Sequence, residues 1–354
     1  MESRGISMSA TKPILRFHSD GHFRILMVSD FHGGTNHNPK LTKSLDALIA
    51  YANPDLVLIG GDTVAGGMFD TINEDTLYDY LSEVLAPIYT RGIPWAHVYG
   101  NHDGESGMSN AEQQPVFERV PLCLSEAGPE AVSGVGNYVL PVLAHDSDTV
   151  RYHIFALDSH REHTDYIERF GLPKDTRIRL EHPMCSGSAQ AGPMFDQVMW
   201  YSRTSSDAEA ANGAKIPAVM YMHVPLPEHF HAARNPEQTH LRGAKREAVC
   251  CSELNSGLFA ACLQRGDVRG IFCGHEHYCD FSAEYCGITL AYDGALGFDM
   301  SGHDDLRGGR IIDLSEDGTM KTHQVRLMDL IGIAAMRDPS FFEGGDKYYV
   351  RLRD

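Results

Sequence analysis

Short apolar runs that each end in a cluster of polar residues recur along this sequence, and they constrain the fold more than any other feature. They occupy residues 25–28, 56–59, 95–99, 153–157, 218–222 and 268–273. Continuous apolar runs of this length favour strands that are buried on both faces. Stretches with apolar residues at helical spacing lie between them, at residues 40–52, 76–90, 193–204 and 244–265. Strands that alternate with helices predict an α/β fold.

The later part of the chain departs from this alternation. Residues 284–327 contain short strand-like segments and a turn signal at residues 316–318, which predict an antiparallel meander that joins a second sheet. No linker or repeat divides the chain, so we expect a single domain over residues 15–327. An N-terminal segment (1–14) precedes it and a C-terminal tail (328–354) follows it. Long insertions that form the walls or lids of a site are expected near residues 104–137, 159–192 and 228–243.

The charge of the chain limits its partners. Its 354 residues carry 30 basic and 48 acidic side chains, which gives a net charge of −18 at pH 7. This excess argues against nucleic acid and anionic membranes as partners, because phosphate groups are bound by basic surfaces. No apolar run reaches the ~18 residues of a membrane-spanning helix, and the polar N-terminus has no apolar signal core. We therefore expect a soluble, cytoplasmic protein.

The cysteines show no metal-binding or disulfide framework. The chain has eight of them, without a CxxC pair or a regular spacing. In a chain of this length that pattern favours reduced, mostly buried thiols over disulfides or a zinc–thiolate site.

Side chains of the kind that bind metals follow five of the apolar runs. In an open α/β sheet ligands bind beyond the carboxyl ends of the strands, so we expect these side chains to meet at one edge. Imidazole, carboxylate and amide groups without thiolate suit divalent or mixed-valence Mn, Zn, Fe or Ni. Seven ligands exceed the needs of one tetrahedral ion and predict two ions that share a bridging carboxylate. The candidate ligands are Asp30, His32, Asp62, Asn101, His223, His275 and His277.

Each motif taken alone has a structural alternative. Gly60-Gly61-Asp62 is typical of a turn in which glycine adopts positive φ. Residues 100–103 are typical of a polar loop. An isolated histidine such as His223 is more often structural than metal-binding. The combined set, in this order and each after an apolar run, favours the metal centre.

The same residues resemble the motifs of the calcineurin-like metallophosphoesterase superfamily. The matching motifs are Asp30-x-His32, Gly61-Asp62, Gly100-Asn101-His102-Asp103, His223 and Gly274-His275-x-His277. Residues 157–159, 223–228 and 307–314 resemble the purple-acid-phosphatase-like branch. The resemblance implies a four-layer αββα sandwich, in which helices flank two mixed β-sheets and a dimetal site lies at the carboxyl-terminal edge of the strands.

The resemblance also implies a role for each residue of the site. His102 would face the substrate as a catalytic proton donor, and Asp103 or another carboxylate would orient it. Ala65 stands where purple enzymes have a tyrosine ligand, so no purple charge-transfer band is expected. The first metal would be held by Asp30, His32, Asp62 and His277, and the second by Asp62, as the bridge, with Asn101, His223 and His275.

This inventory predicts hydrolysis of phosphate esters. A hydroxide that bridges two metal ions attacks phosphorus, and His102 serves as general acid for the leaving group. We expect a phosphomonoesterase that acts on a small-molecule or peptide phosphate ester. The alternatives are a phosphodiesterase, a nucleotide pyrophosphatase, and a non-catalytic protein-binding scaffold of the same fold. Candidate substrate contacts in the insertions are His160, Arg161, His163, His229, His231 and Arg234.

Overall fold

Two β-sheets form the centre of the structure, a computed structural model that describes residues 12–34, 38–64, 71–173 and 190–332. One sheet has the strand order β1-β5-β6-β7-β8-β10-β9 and the other β12-β11-β2-β3-β4, and both contain parallel and antiparallel pairs. The strands are β1 (Leu15–Arg16), β2 (His22–Val28), β3 (Leu56–Ile59), β4 (Trp95–His97), β5 (Tyr138–Leu143), β6 (Val150–Ala156), β7 (Ala218–Tyr221), β8 (Val268–Cys273), β9 (Ser282–Tyr285), β10 (Ile288–Tyr292), β11 (Gly308–Ser315) and β12 (Met320–Arg326).

Helices flank the two sheets. The side chains at several helix ends satisfy free backbone groups: Asn73 accepts from the backbone N–H of Thr76, whose hydroxyl accepts from Asn73 N in return. The helices are α1 (Pro39–Ala52), α2 (Glu74–Val84), α3 (Ala86–Tyr89), α4 (Asn110–Arg119), α5 (His163–Phe170), α6 (Phe195–Asn212), α7 (Pro227–Ala233), α8 (Leu258–Arg265) and α9 (Leu327–Ile331), with a 3-10 turn at Asp103–Glu105.

Apolar clusters fill the spaces between these layers. Ile25 and Leu58 of the β2-containing sheet share one cluster with Ile154 and Tyr221 of the other sheet. The outer face of the β2-containing sheet packs on α1 and α2, and the outer face of the other sheet packs on α6 and α8. Because continuous apolar strands cover both faces of each sheet, both faces need a partner layer. The predicted four-layer αββα sandwich is therefore confirmed.

The predicted strands are confirmed, and two other predictions are corrected. The meander expected over residues 284–327 is divided: β9 and β10 extend one sheet, whereas the β11–β12 hairpin extends the other. The helix expected over residues 244–265 is wrong before residue 258. In that segment Arg246 N donates to Tyr278 O, and Ala244 O accepts from Asp280 N. Pairing with the loop after β8 thus replaces the helical hydrogen bonds that the apolar spacing predicted.

The cysteines also differ from expectation at one position. Cys250 is disulfide-bonded, which residue spacing does not reveal. Most of the two terminal segments, and Cys185, lie outside the described residues. Among the described helices, none has the length and apolar character needed to cross a membrane. The free thiols of the described chain are Cys123, Cys251, Cys262, Cys273, Cys279 and Cys286.

Candidate metal centre

The carboxyl ends of strands from both sheets meet at one edge and bring the predicted ligands together. β2, β3 and β4 are parallel within one sheet, and β7 and β8 are parallel within the other. Each sheet therefore supplies part of the site. The ligands and the strands that they follow are Asp30 and His32 (β2), Asp62 (β3), Asn101 (β4), His223 (β7), and His275 and His277 (β8).

Asp30 and Asp62 each turn one carboxylate oxygen toward a group of imidazole nitrogens. Asp30 Oδ1 lies 3.2 Å from His277 Nε2 and 3.6 Å from His32 Nε2. Asp62 Oδ2 lies 3.1 Å from His223 Nε2 and 3.6 Å from His32 Nε2. The ligand atoms form two groups, Asp30–His32–His277 and Asp30–Asp62–His223. Asp30 belongs to both groups, and Asp62 also approaches His32, so Asp62 as the bridge stays a prediction.

Asn101 and His275 complete the predicted set. Asn101 Oδ1 lies 3.1 Å from His223 Nε2. The His275 ring is centred 5.2 Å from the His223 ring, and His275 N donates to Asp30 Oδ2 at 3.1 Å. All seven candidate ligands thus lie in one cluster.

The polar atoms of this cluster fit metal ions better than they fit one another. The Nδ1 atoms of His223 and His277 donate to backbone carbonyls at 2.8 and 2.6 Å, which in the neutral rings leaves Nε2 as an acceptor. His277 Nε2 lies 3.0 Å from His32 Nε2, and the buried Asp30 Oδ1 has no hydrogen-bond partner among the described residues. Imidazole nitrogens and carboxylate oxygens that converge in this way form a candidate cation site, and ligands of this kind suit transition metals.

The backbone at these ligands adopts a conformation that most residues avoid. Asp30, His32, Asp62 and His275 have φ angles of 55°, 48°, 49° and 78°. Such left-handed geometry costs free energy at residues other than glycine, and it clusters at functional sites.

Two glycines of the motifs allow the ligand loops to approach one another. A Cβ atom on Gly61, whose φ is 98°, would lie 2.7 Å from His223 Nδ1. A Cβ atom on Gly100 would lie 2.1 Å from Asp62 Oδ1. A side chain at either position would displace a ligand, so the glycines do more than make turns.

Burial and opposite charges shift the pKa values of the cluster. Burial favours neutral His223, but the charges of Asp62 and Asp30 outweigh it and raise the pKa of His223 to about 10. Burial alone would raise the pKa of Asp62, yet nearby imidazoles, above all His223, hold it below its usual range. Burial lowers the pKa of His275 to about 3. Protons therefore compete with cations for His223 more than for His275.

His102 borders the ligands, and its carboxylate partner is Glu105. The His102 ring is centred 5.6 Å from the His32 ring, and His102 N donates to Asp62 Oδ1 at 2.8 Å. His102 Nδ1 lies 2.8 Å from Glu105 Oε2. Burial opposes the charged ring, but Asp62 and Glu105 outweigh it and raise the pKa of His102.

Of the predicted alternatives, Asp103 or another carboxylate, Asp103 contacts the backbone of the ligand loops rather than the His102 ring. Its carboxylate accepts from the backbone N–H groups of Asp62, Val64 and Gly100, at 3.0, 2.9 and 2.7 Å. Burial, and then the charge of Asp62, raise the pKa of Asp103 to about 7. Asp103 thus connects the loops after β3 and β4, and the carboxylate in contact with the His102 ring is that of Glu105.

The insertion residues differ in their relation to the centre. His229 is fully buried beside Tyr292, and the buried His160 contacts Gln197 Oε1 at 2.9 Å. Arg161 borders the loop that carries His102, because a Cβ atom on Gly104 would lie 3.3 Å from Arg161 Cδ. His231 and Arg234 are exposed. Ala65 and the side chain of His163 lie outside the described residues.

Three residues next to the ligands do not follow from the motifs: Glu105, Ser29 and Asp293. The Ser29 hydroxyl contacts Asp30 Oδ2 and lies 2.8 Å from Asp293 Oδ1. Asp293 directly follows β10. The pattern that indicates the ligands, a polar residue after an apolar strand, therefore also applies to Asp293.

Solved structures share this fold. A dimetal phosphatase from Danio rerio superposes with a TM-score of 0.54 at 13% sequence identity, over 85% of this chain and 98% of that one. GAP50, described as the anchor in the inner membrane complex of Plasmodium, superposes with a TM-score of 0.51 at 11% identity, over 88% and 87% of the two chains.

Sequence comparison identifies the family. "Probable inactive purple acid phosphatase 14" of Arabidopsis thaliana is 29% identical over 322 residues, which are 80% of this chain and 73% of that protein. Phosphatase DCR2 of Saccharomyces cerevisiae is 24% identical over 289 residues, 74% of this chain and 45% of that protein. The family model for calcineurin-like phosphoesterases matches residues 23–279. The chain belongs to the calcineurin-like phosphoesterase family, and its relatives are purple-acid-phosphatase-like proteins.

Proposed function

We propose that this protein is a metal-dependent phosphoesterase that hydrolyses phosphate monoesters. The observation that carries the proposal is the convergence of imidazole nitrogens on Asp30 Oδ1 and Asp62 Oδ2, with His102 at its border. The substrate is a small-molecule or peptide phosphate ester, because the chain's net charge of −18 opposes docking of a nucleic acid.

The seven clustered side chains would hold two transition-metal ions. When bound, such ions supply Lewis acidity, which acidifies water and offsets the charge of a phosphoryl group. Two kinds of hydrogen bond hold the ligand loops beforehand: backbone N–H groups donate to Asp103, and the Nδ1 atoms of His223 and His277 donate to backbone carbonyls. Little reorganisation is then needed when the ions bind.

His102 is the proton donor of the proposed reaction. Glu105 contacts Nδ1, so that Nε2 of the protonated ring is left to donate to the leaving-group oxygen. The raised pKa of His102 keeps the ring protonated to higher pH. A phosphate monoester with a poor leaving group gains most from this donor.

A non-catalytic scaffold is the second candidate, because relatives of this chain carry the name "probable inactive" and a protein of the same fold is described as an anchor. The chain itself has all seven candidate ligands in one cluster. This observation favours catalysis over a scaffold.

A substrate panel tests the proposal. The protein is loaded in turn with Mn, Zn, Fe or Ni and given para-nitrophenyl phosphate, its diester and a nucleotide pyrophosphate, with Asp62→Asn as the matched control. We expect about two ions per chain, fastest cleavage of the monoester, and loss of both properties in the variant. Faster diester or pyrophosphate cleavage would indicate a different esterase. Bound metal without turnover of any ester would favour the scaffold.

A location in the cytoplasm stays a prediction, and the disulfide of Cys250 bears on it. Structural disulfides persist mainly in oxidising compartments. Thiol alkylation in intact cells, followed by mass spectrometry, measures the state of Cys250. A modified Cys250 would support the cytoplasm, and a protected one would contradict it.

A further inference from the structure

The two carboxylate oxygens of Asp30 face different surroundings. Oδ1 faces the imidazole nitrogens of His32 and His277 and has no hydrogen-bond partner within the part of the chain that the structure describes. Oδ2 points away from them and accepts from His275 N and from the Ser29 hydroxyl. The orientation of this ligand therefore depends on the contacts of Oδ2.

Ser29 links Asp30 to a second buried carboxyl group. The Ser29 hydroxyl oxygen contacts Asp30 Oδ2 and lies 2.8 Å from Asp293 Oδ1. Ser29 and Asp293 are fully buried, and Asp30 is 1% exposed. A serine hydroxyl has one hydrogen and can donate to only one of these two oxygens. The other carboxyl group must itself donate, because two lone pairs at this distance repel.

The extra proton belongs on Asp293. A carboxylate that binds a metal is deprotonated, so the Ser29 hydrogen goes to Asp30. Asp293 Oδ2 is buried and, in the described ranges, has no hydrogen-bond partner, which is costly for an ionised carboxylate. The nearby Arg310 directs its hydrogen bonds to Tyr292 O, Asp280 O and the Thr322 hydroxyl.

The charges around Asp293 agree with this assignment. Burial raises the pKa of Asp293 well above its usual range, and the charge of Asp30 adds to the shift. The hydrogen bond to Ser29 and the charges of His223 and Arg310 act in the opposite direction but are weaker.

We propose that Asp293 is a positioning residue: as a neutral acid it donates to the Ser29 hydroxyl, which donates to Asp30 Oδ2 and so turns Asp30 Oδ1 toward the metal ions. This inference rests on the proposed metal centre. Outer partners of metal ligands typically change metal affinity by about 10- to 100-fold when they are removed. Asp293 is expected to act in that range.

Two variants of Asp293 separate a donor from a merely space-filling group. Asp293→Asn keeps a neutral donor of similar size, whereas Asp293→Leu removes the donor. Calorimetric titration with Mn or Zn should give near-normal affinity for Asp293→Asn and an affinity weaker by about 10- to 100-fold for Asp293→Leu. Ser29→Ala should resemble Asp293→Leu. Thermal unfolding in EDTA establishes which variants are folded before titration.

Infrared spectroscopy tests whether the Asp293 carboxyl group is protonated. This measurement does not depend on whether Asp293→Leu folds. The difference spectrum of wild type minus Asp293→Asn should contain the carbonyl band of a protonated carboxylic acid. Absence of that band would overturn the inference, as would equal loss of metal affinity in the Asn and Leu variants. Normal metal affinity in folded Asp293→Leu would overturn it too.

These outcomes are separable from failure of the proposed function, because neither measurement requires turnover. A wild type that binds metal and shows the band, but cleaves no ester, would contradict the esterase and support the role of Asp293. A wild type that binds no metal would overturn both proposals.

Discussion

At the scale of single residues, a variant of His102 distinguishes a role in proton transfer from a role in metal binding. His102→Ala should keep its metal and lose about 10²- to 10⁴-fold in turnover of an alkyl phosphate, because general acid catalysis is worth that much. The loss should shrink with para-nitrophenyl phosphate, whose leaving group needs little protonation. Rates on both substrates, together with elemental analysis, measure this.

His223→Ala is the control for that experiment, since His223 lies within the ligand cluster. It should lose metal and activity together with either substrate. If His102→Ala lost metal, His102 would be a ligand. An equal loss of rate with both leaving groups would exclude the role of general acid.

Glu105 and Asp103 form a second matched pair. Glu105→Gln should lower the turnover of an alkyl phosphate, though less than His102→Ala does, and leave stability nearly unchanged. Asp103→Asn should lower the free energy of unfolding by about 1–3 kcal/mol, because its amide would face buried backbone donors. Kinetics and urea unfolding of both variants check this. If Asp103→Asn instead lowered turnover and Glu105→Gln lowered stability, Asp103 would be the carboxylate that orients His102.

These residues show what could be predicted at the site. Asp30 and His223 directly follow apolar strands. The pattern of strands in the sequence was therefore sufficient to predict that both lie at one edge. The partner of His102 could not be predicted, because it depends on how one turn of backbone directs Asp103 inward and Glu105 outward. Asp293 was missed although it follows β10, since one carboxylate without a motif partner gives no chemical signal.

At the scale of elements, strands were more predictable than the segments between them. A strand such as β8 is apolar throughout because layers cover both of its faces. The segment 244–257 has helical spacing, but its backbone pairs with residues 278–280 of a distant loop. Sequence periodicity carries no information on such long-range hydrogen bonds, which here decide the structure.

The loop after β6 supplies a prediction at this scale. Arg161 lies beside the loop of His102, its side chain is 43% exposed, and within the described residues its ion pair is a 3.5 Å contact with Asp165. Its exposed guanidinium group is therefore placed to contact an anionic substrate. Arg161→Met should raise KM severalfold and leave kcat and metal content nearly unchanged. Steady-state kinetics with a phosphopeptide measure this, and an unchanged KM would remove Arg161 from the site.

At the scale of the whole molecule, buried neutral histidines limit stability in acid. Burial lowers the pKa of His97 to about 3, and its ring stacks 3.9 Å from that of Phe117. Unfolded His97 takes up a proton near pH 6.5, so between pH 6.5 and 3 the unfolded state holds more protons. The free energy of unfolding therefore falls as pH falls through this range.

His97→Phe should flatten that dependence, because phenylalanine has no proton to gain. Relative to wild type, the variant should lose roughly 2 kcal/mol less between pH 7 and 5. Urea unfolding at a series of pH values measures the slope, which is independent of any constant change in stability. Parallel slopes would show that His97 has the same pKa in the folded and the unfolded chain and would contradict the expected shift.

Metal binding should also stabilise the packing of the two sheets against each other. Asp30, Asp62 and Asn101 follow strands of one sheet, whereas His223, His275 and His277 follow strands of the other. Ions bound only by the folded chain stabilise it by about 2.7 kcal/mol at a concentration of 100 times Kd. Thermal unfolding should therefore shift upward with added Mn or Zn and return with EDTA. Asp62→Asn should lose most of this shift, which is measured against the metal-free Tm of the variant itself. If added metal did not change the Tm of the wild type, that result would contradict a metal centre whose ligands come from both sheets.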